Sequence, residues 1–299
     1  MELEVVPYDI DYAHLGFGDL PIRNSPLRRI LVCLAWTVSA RIVNRRQPPS
    51  SLYTPLTRKW VVKRDRFGHL TEGKTLQYVA AYTNVPVPRV YTSFIHRGAS
   101  YLVMERPCGI TLAEAYRTYP RDDINAILFQ LRLMINDLRS IRLPADAVVG
   151  VISCAGGSLR SARQPRRAAR YGPFATIEDF HWWMRSDFHP GMVEQPPFVS
   201  EADWDDVEEM VELQDEVCQR PVFTHGNLQP ENIIVSGRKV VSIVGWENAG
   251  WFPDYWEYTT AWTGCHRHSM WKSELWRFLD TYPDELFMEQ TRIKWWGTY

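Results

Sequence analysis

The residues best able to do chemistry lie in two short polar loops that interrupt apolar runs between Val222 and Glu247. Short β-branched runs broken by glycine and asparagine are typical of strands with functional loops between them. These loops carry Asn227, Asn232 and Glu247. A carboxamide offers hydrogen bonds but cannot take up a proton near neutral pH. The pattern therefore predicts a polar, amide-rich site.

Three apolar runs must position these side chains. Residues 221–223, 233–235 and 240–244 each predict a strand. Residues 236–238, which read Ser-Gly-Arg, predict a tight turn that joins the last two strands. We therefore expect a hairpin-like unit over residues 222–247.

The segment Thr224-His-Gly-Asn-Leu-Gln-Pro-Glu-Asn232 resembles the catalytic loop of the aminoglycoside phosphotransferase family, a branch of the kinase-like fold. That family usually has H-G-D-x-H-x-x-N in this loop and I-D-W-E in the metal motif that follows. Val244-Gly-Trp-Glu247 stands where the second motif belongs. Asn227 replaces the first aspartate and Gly245 the second. The resemblance thus comes with degenerate motifs.

These replacements bear on two roles that the resemblance implies. Phosphoryl transfer needs a group that orients and deprotonates the acceptor, and a metal that holds the phosphates. For the first role the sequence offers Asn227, and for the metal it offers Asn232. Mg²⁺ is normally held by one or two carboxylates plus phosphates, and neither residue is a carboxylate. Glu247 is an alternative metal ligand. The favoured interpretation is loss of ordinary phosphotransferase activity, with no metal and no cofactor.

A lysine and a glutamate earlier in the chain match another feature of kinase-like folds. Residues 59–63 predict a strand that ends in Lys63, and residues 72–81 predict a helix that begins with Glu72. In such folds a strand lysine holds nucleotide phosphates and pairs with a helix glutamate. The resemblance implies these roles here. The alternative is a surface lysine and an ordinary acid at a helix start.

Two further segments extend the resemblance from about residue 55 to 262. Asn84-Val-Pro-Val-Pro-Arg-Val-Tyr91 resembles the family's T-x-I-P-V-P-x-V segment. The stretch Ala249-Gly-Trp-Phe-Pro-Asp-Tyr-Trp-Glu-Tyr258 is similar to A-G-W-x-P-x-Y-W-E-Y of the fungal type of this family.

The resemblance implies an α+β, two-lobed protein-kinase-like fold. The expected N-terminal lobe, 1–104, is small and β-rich, with an N-terminal helix, a sheet and one further helix. Residues 105–109 are the expected hinge. Residues 110–299 are the expected larger, mainly helical C-terminal lobe, which contains the catalytic-loop-like hairpin.

Composition narrows the class of protein. The chain has 299 residues, 45% of them apolar, and a formal charge of −1, which gives no argument for nucleic-acid binding. Five scattered cysteines form no C-x-x-C pair, which favours a reducing compartment without disulfides or zinc. Residues 1–19 lack the pattern of a secretory signal. We expect a cytoplasmic protein whose oligomeric state the sequence leaves open.

The apolar stretch Ile30–Val38 is bounded by Arg28, Arg29 and Arg41. It is shorter than the roughly 20 residues needed to cross a bilayer. We therefore expect no stable membrane insertion. A buried amphipathic helix is the favoured interpretation, and a helix lying in the membrane interface is the alternative.

Two features leave a functional and a structural alternative open. The arginines between Arg160 and Arg170 indicate a solvated loop or an anion-binding patch. His181 is a packed histidine or a general base.

Three functional hypotheses follow. The favoured one is an enzyme of the cyclase or isomerase type, which binds an organic small molecule in the cleft between the lobes and needs no nucleotide. A cyclisation, isomerisation or pericyclic step fits, because shape, desolvation and a few hydrogen bonds can suffice. The alternatives are a non-catalytic pseudokinase and a phosphotransferase with a relocated base and metal ligand. Fungal relatives of this type often accompany natural-product pathways, which the resemblance implies for secondary metabolism here.

The favoured hypothesis assigns roles to ten residues. Catalytic roles go to Asn227, Asn232 and Glu247. Substrate contacts go to Gln229, His225, Trp246, Trp251, Asp254, Lys63 and Glu72.

Overall fold

A computed structural model describes residues 20–43, 53–65, 70–142, 150–154, 157–160, 170–216, 220–265 and 269–297. Most of the Arg160–Arg170 run lies outside these residues. The described chain groups into two compact units. The N-terminal unit comprises residues 20–138 and 230–247, and the C-terminal unit comprises 139–229 and 248–297. These groupings do not follow the expected hinge, and the lobe boundary at 105–109 stays a prediction.

The N-terminal unit contains four helices and seven strands among its described residues. The helices are α1 (Pro26–Val43), α2 (Thr71–Tyr82), α3 (Leu112–Thr118) and α4 (Arg121–Arg139). The strands are β1 (Tyr53–Pro55), β2 (Trp60–Asp65), β3 (Val90–His96), β4 (Ala99–Glu105), β5 (Ile110–Thr111), β8 (Ile233–Ser236) and β9 (Lys239–Ile243). One antiparallel sheet has the order β1-β2-β4-β3, and a second has the order β5-β8-β9.

The hairpin predicted from the apolar runs is present as β8 and β9. Its turn pairs Ser236 with Lys239, and Gly237 has a φ of 55° that glycine adopts without a steric penalty. The first run, however, forms a strand of the other unit. Only the second half of residues 222–247 therefore forms the hairpin.

Helix α1 begins as a capped helix and packs one face on the first sheet. Ser25 Oγ accepts from the Arg28 backbone N–H at 3.3 Å, and Pro26 occupies the first helical position. Val32, Cys33 and Trp36 contact the core formed by Val62, Phe94, Ala99, Tyr101 and Val103. The expected buried helix is therefore only partly buried, on the face that packs against this core.

The C-terminal unit is built on a small antiparallel sheet with the order β6-β10-β7. Its strands are β6 (Ile152–Ser153), β7 (Val222–Thr224) and β10 (Gly250–Phe252). Its helices are α5 (Ile177–Met184), α6 (Glu201–Glu216), α7 (Trp256–Thr263), α8 (Ser269–Glu274) and α9 (Pro283–Trp296). In none of the described segments is a helix long and apolar enough to cross a membrane.

His181 belongs to the core of the C-terminal unit. Its Nδ1 lies 2.9 Å from the Gln214 carbonyl oxygen, and its Nε2 lies 2.6 Å from Tyr255 Oη. A carbonyl only accepts, so Nδ1 carries the proton and Nε2 accepts from the tyrosine. Burial lowers the pKa of His181 to about 4. These contacts favour the packed histidine over the general base.

Candidate functional site

Lys63 is a buried lysine in the middle of the first sheet. It lies on β2, and only 4% of it is exposed. Its Nζ is 2.8 Å from Glu72 Oε2 and also 2.8 Å from Glu247 Oε2. A lysine is almost never fully buried unless it is paired, and this one has two carboxylate partners. One ammonium group therefore holds two acidic side chains together.

Three separate elements supply this cluster. Glu72 lies in the first turn of α2, where a negative side chain also interacts favourably with the helix dipole. Glu247 lies in the 3₁₀ turn Trp246–Asn248 that follows β9. Tyr53 lies directly opposite Lys63 in the β1–β2 register, and Lys63 Nζ sits 5.2 Å from the centre of its ring. The tyrosine thus covers the ammonium with an aromatic face.

The electrostatics of the cluster keep Lys63 charged. Burial by itself lowers its pKa, but Glu72 and Glu247 outweigh burial, so the pKa of Lys63 is raised well above its ordinary value. Burial, and next the charge of Glu72, raise the pKa of Tyr53. The tyrosine therefore stays a neutral phenol beside an ammonium and two carboxylates.

Position 245, where the sequence resemblance leads us to expect an aspartate, has no room for a side chain unless its neighbour moves. Gly245 has a φ of 84°, in the left-handed region that glycine favours. A Cβ built there would lie 2.8 to 2.9 Å from the side-chain atoms of Asn232. The Asn232 carbonyl accepts from the Val244 N–H at 2.9 Å, which ties the two segments together. Asn232 must shift before any side chain can occupy position 245.

These residues do not fit the metal ion that kinase-like chemistry requires. Gly245 offers no ligand, Asn232 offers a neutral amide, and Glu247 Oε2 is bonded to Lys63. Within the described ranges, no group of three or more His, Cys, Asp or Glu side chains could hold a metal ion.

A buried glutamate holds the first polar loop in the C-terminal unit. Glu257 Oε2 accepts from the His225 N–H at 2.6 Å, and its Oε1 accepts from the Gly226 N–H at 3.2 Å. Gly226 has a φ of 74° and lies so close to the Asn248 carbonyl that a Cβ would be 2.6 Å from its oxygen. The loop therefore needs both the glycine and the carboxylate to keep its shape.

The remaining bonds of this loop involve the residues predicted from sequence. The Asn227 N–H donates to His225 Nδ1 at 3.2 Å, so the His225 proton is on Nε2. The Asn227 carbonyl accepts from the Gln229 N–H at 2.9 Å. Gln229 Nε2 donates to the carbonyls of Thr260 and Ala261 at 3.3 and 3.2 Å. The Gln229 amide thus fastens the loop to α7.

Several predicted substrate contacts are packed inside their units. His225, Gln229, Trp246 and Trp251 are buried. Trp246 Nε1 donates to the Ile243 carbonyl at 2.8 Å, and Trp251 meets the edge of Phe223. These contacts indicate that the four side chains stabilise the fold.

Asp254 is also tied into the C-terminal unit. Its Oδ2 accepts from Tyr282 Oη at 3.0 Å, and its carbonyl accepts from Arg139 Nη2 at 2.9 Å. Asp254 nevertheless keeps part of its surface exposed, as do Asn227, Asn232 and Glu247. The other six residues of the predicted set are buried.

Sequence reasoning missed Tyr53 and Glu257. Tyr53 reaches Lys63 only through the β1–β2 register, which the residue types do not reveal. Glu257 lies in the segment Ala249–Tyr258, among aromatic residues. An acidic residue in such surroundings is the sequence signal of a buried side chain that needs hydrogen-bond partners.

Comparisons with known proteins give the family. A sequence model of the phosphotransferase enzyme family matches residues 52–290. No curated protein matches the chain.

Solved structures give the fold. A thermostable mutant of the aminoglycoside phosphotransferase APH(4)-Ia in its apo form matches with 15% identity and a TM-score of 0.56, over 81% of this chain and 79% of that one. Its variant in a ternary complex with ADP and hygromycin B matches with 15% identity and a TM-score of 0.57, over the same shares. An aminoglycoside-3'-phosphotransferase of type VIII matches with 13% identity and a TM-score of 0.50, over 86% of this chain and 98% of that one. Because the family model covers most of the chain, the chain belongs to the phosphotransferase enzyme family, and the expected α+β kinase-like fold is confirmed.

Proposed function

We propose that this chain has lost the phosphoryl-transfer chemistry of its family. It binds a small organic molecule instead and promotes a cyclisation, isomerisation or pericyclic step without nucleotide, metal or other cofactor. The observation that carries this proposal is the Lys63 ammonium, held by Glu72 and Glu247 with a glycine at position 245.

The second carboxylate is what separates this cluster from an ordinary phosphate site. In kinase-like folds the strand lysine pairs with one glutamate and directs its charge at nucleotide phosphates. Here Glu247 takes the other side of the ammonium. A triphosphate would have to displace Glu247 from a largely buried ion pair and then lie beside two carboxylates with no metal to bridge them. Phosphate binding at Lys63 is therefore disfavoured.

The accessible polar groups support non-covalent catalysis. Asn227 and Asn232 offer amide hydrogen bonds and keep part of their surface exposed. Backbone hydrogen bonds hold the chain at each residue, from the Asn227 N–H to His225 Nδ1 and from the Val244 N–H to the Asn232 carbonyl. Hydrogen-bond donors and acceptors that are preorganised stabilise charge that develops in a transition state without taking up a proton. Amide groups in this role suit a substrate that rearranges internally once it is bound in the reactive shape.

One observation favours a second candidate, a phosphotransferase with a relocated base and metal ligand. The Lys63–Glu72 ion pair, at 2.8 Å, has the geometry of the kinase-like lysine–glutamate pair. One solved relative, a variant of the aminoglycoside phosphotransferase APH(4)-Ia, is in a ternary complex with ADP and hygromycin B. This candidate requires Glu247 to leave Lys63 and bind the metal.

We further propose that the reaction belongs to the secondary metabolism of a fungus and takes place in the cytoplasm; the similarity of residues 249–258 to fungal members of the family supports the first part of this proposal. On this proposal the substrate is an intermediate of natural-product biosynthesis.

The test identifies the bound molecule and follows its conversion. The full chain is purified from its host, bound small molecules are extracted and identified by mass spectrometry, and the isolated compound is returned to the protein with and without MgATP. We expect conversion to an isomer of the same mass without nucleotide. Asn227→Ala is expected to slow conversion by roughly 100-fold or more.

Glu231→Ala is the control, because Glu231 is exposed and lies in the same loop sequence. It is expected to leave the rate unchanged. Conversion that requires MgATP and adds a phosphoryl group to the product would establish the second candidate instead.

A further inference from the structure

Helix α1 presents an apolar stripe to solvent. Six large aliphatic side chains recur at a spacing of three or four residues, which places them on one side of the helix. Each is between 56% and 66% exposed, far more than core residues are. They are Leu27, Ile30, Leu31, Leu34, Val38 and Ile42.

The stripe is not the face that attaches α1 to the rest of the protein. The opposite face of α1 packs Val32, Cys33 and Trp36 on the first sheet, so the helix is already anchored. Arg64 of β2 reinforces this face, with its guanidinium 4.8 Å from the centre of the Trp36 ring. A surface helix normally carries polar residues on its outer face. This helix carries apolar residues on both faces.

The charge of the surrounding residues indicates what kind of partner the stripe binds. Between Leu20 and Arg64 the sequence contains ten lysine and arginine residues and no aspartate or glutamate. The whole chain has 34 basic and 35 acidic residues, so the rest of it is strongly acidic. Arg28 and Arg41 are exposed near the two ends of the stripe. Five of the ten basic residues, Arg23, Arg28, Arg41, Arg58 and Lys59, are exposed among the described residues. The segment that carries the apolar stripe therefore also carries basic groups at its surface.

We propose that α1 docks this protein on an anionic lipid membrane. An interfacial helix buries its apolar side at the boundary of headgroups and acyl chains, while arginines beside it contact lipid phosphates. The 18 residues of α1 give about 27 Å of helix for this contact. A second copy is a poor partner for the stripe, because pairing two α1 helices would bring like charges together.

The test measures sedimentation of the full chain with vesicles of phosphatidylcholine, with and without about one third phosphatidylserine. We expect binding to the anionic vesicles, and at least a tenfold weaker affinity for neutral ones or at about 0.5 M salt. The variant Leu31→Gln/Leu34→Gln/Val38→Gln is expected to bind anionic vesicles at least tenfold more weakly. Arg28→Gln/Arg41→Gln is expected to weaken binding severalfold.

The matched control is Phe129→Gln/Leu133→Gln, which removes two exposed apolar side chains from α4. It is expected to bind vesicles like the unmodified chain. Because all substituted side chains are exposed, the variants are expected to keep the melting temperature of the unmodified chain. The proposal is overturned by an unmodified chain that stays in the supernatant, or by a triple variant that sediments equally well. A dimer that the triple variant converts to a monomer, without vesicle binding, would assign the stripe to a second copy.

Discussion

Replacing Lys63 with methionine is expected to lower the free energy of unfolding by about 3–5 kcal/mol. Methionine keeps most of the volume of the side chain but removes the ammonium between Glu72 and Glu247. Two carboxylates are then left close together in a largely buried place, where Lys63 itself is only 4% exposed. Losing one partner of a buried ion pair is far more damaging than losing a solvated pair, because the remaining charge is uncompensated. Urea unfolding monitored by tryptophan fluorescence measures the change.

Two companion variants separate the charge effect from packing. Lys59→Met removes an exposed lysine just before the same strand and is expected to change stability by at most about 0.5 kcal/mol. Adding Glu72→Gln and Glu247→Gln to Lys63→Met is expected to restore most of the loss, because no unpaired charge remains. If Lys63→Met costs no more than Lys59→Met, the three side chains do not form a buried cluster in solution.

Replacing Glu257 with alanine is expected to cost about 3–5 kcal/mol. The change removes the acceptor of the His225 and Gly226 N–H groups and leaves a cavity where a side chain only 3% exposed had been. Buried N–H groups without an acceptor carry a desolvation penalty that the folded loop cannot relieve. Glu209→Ala, at an exposed position of α6, is the control and is expected to be nearly neutral. Equal stability of the two variants would show that Glu257 does not hold the loop.

The same carboxyl group gives this stability a pH dependence. Burial raises the pKa of Glu257 from 4.5 to about 7, although the N–H groups of His225 and Gly226 act against it. The folded chain therefore binds more protons than the unfolded chain between these two values. The contribution of Glu257 to stability is largest below about pH 4.5 and is lost as the pH rises to about 7. Over this range the unmodified chain is expected to lose roughly 3 kcal/mol relative to Glu257→Gln, measured as the difference in unfolding free energy. A difference that stays constant with pH would contradict the raised pKa.

The sequence predicted the parts of this structure that motifs and periodicity determine. The Lys63 strand, the Glu72 helix and the β8–β9 hairpin lie close to where residue types placed them. The turn at Gly237 was readable because its residue types favour that conformation.

The bond between Lys63 and Glu247 was not predictable in this way. It joins residues that are 184 positions apart in the sequence. Over such a separation, sequence spacing does not indicate which carboxylate will bind a given ammonium group. The exposed apolar face of α1 was only an alternative to the favoured buried helix, for a different reason. Periodicity groups residues by face, but when both faces are apolar it does not say which of them packs on the sheet. The roles of the site residues stay predictions, because Asn227 and Gly245 stand where the family pattern has aspartates and the pattern therefore assigns them no role.

Calorimetric titration of MgATP into the unmodified full chain tests the central claim most directly. The claim is that the Lys63 ammonium is ion-paired with both Glu72 and Glu247, and that Gly245 provides no ligand for a metal ion. We predict no measurable heat of binding at nucleotide concentrations up to about 1 mM, with or without Mg²⁺. Mg²⁺-dependent binding of ATP with a Kd of about 10 μM or tighter would contradict the account and return this chain to phosphoryl transfer.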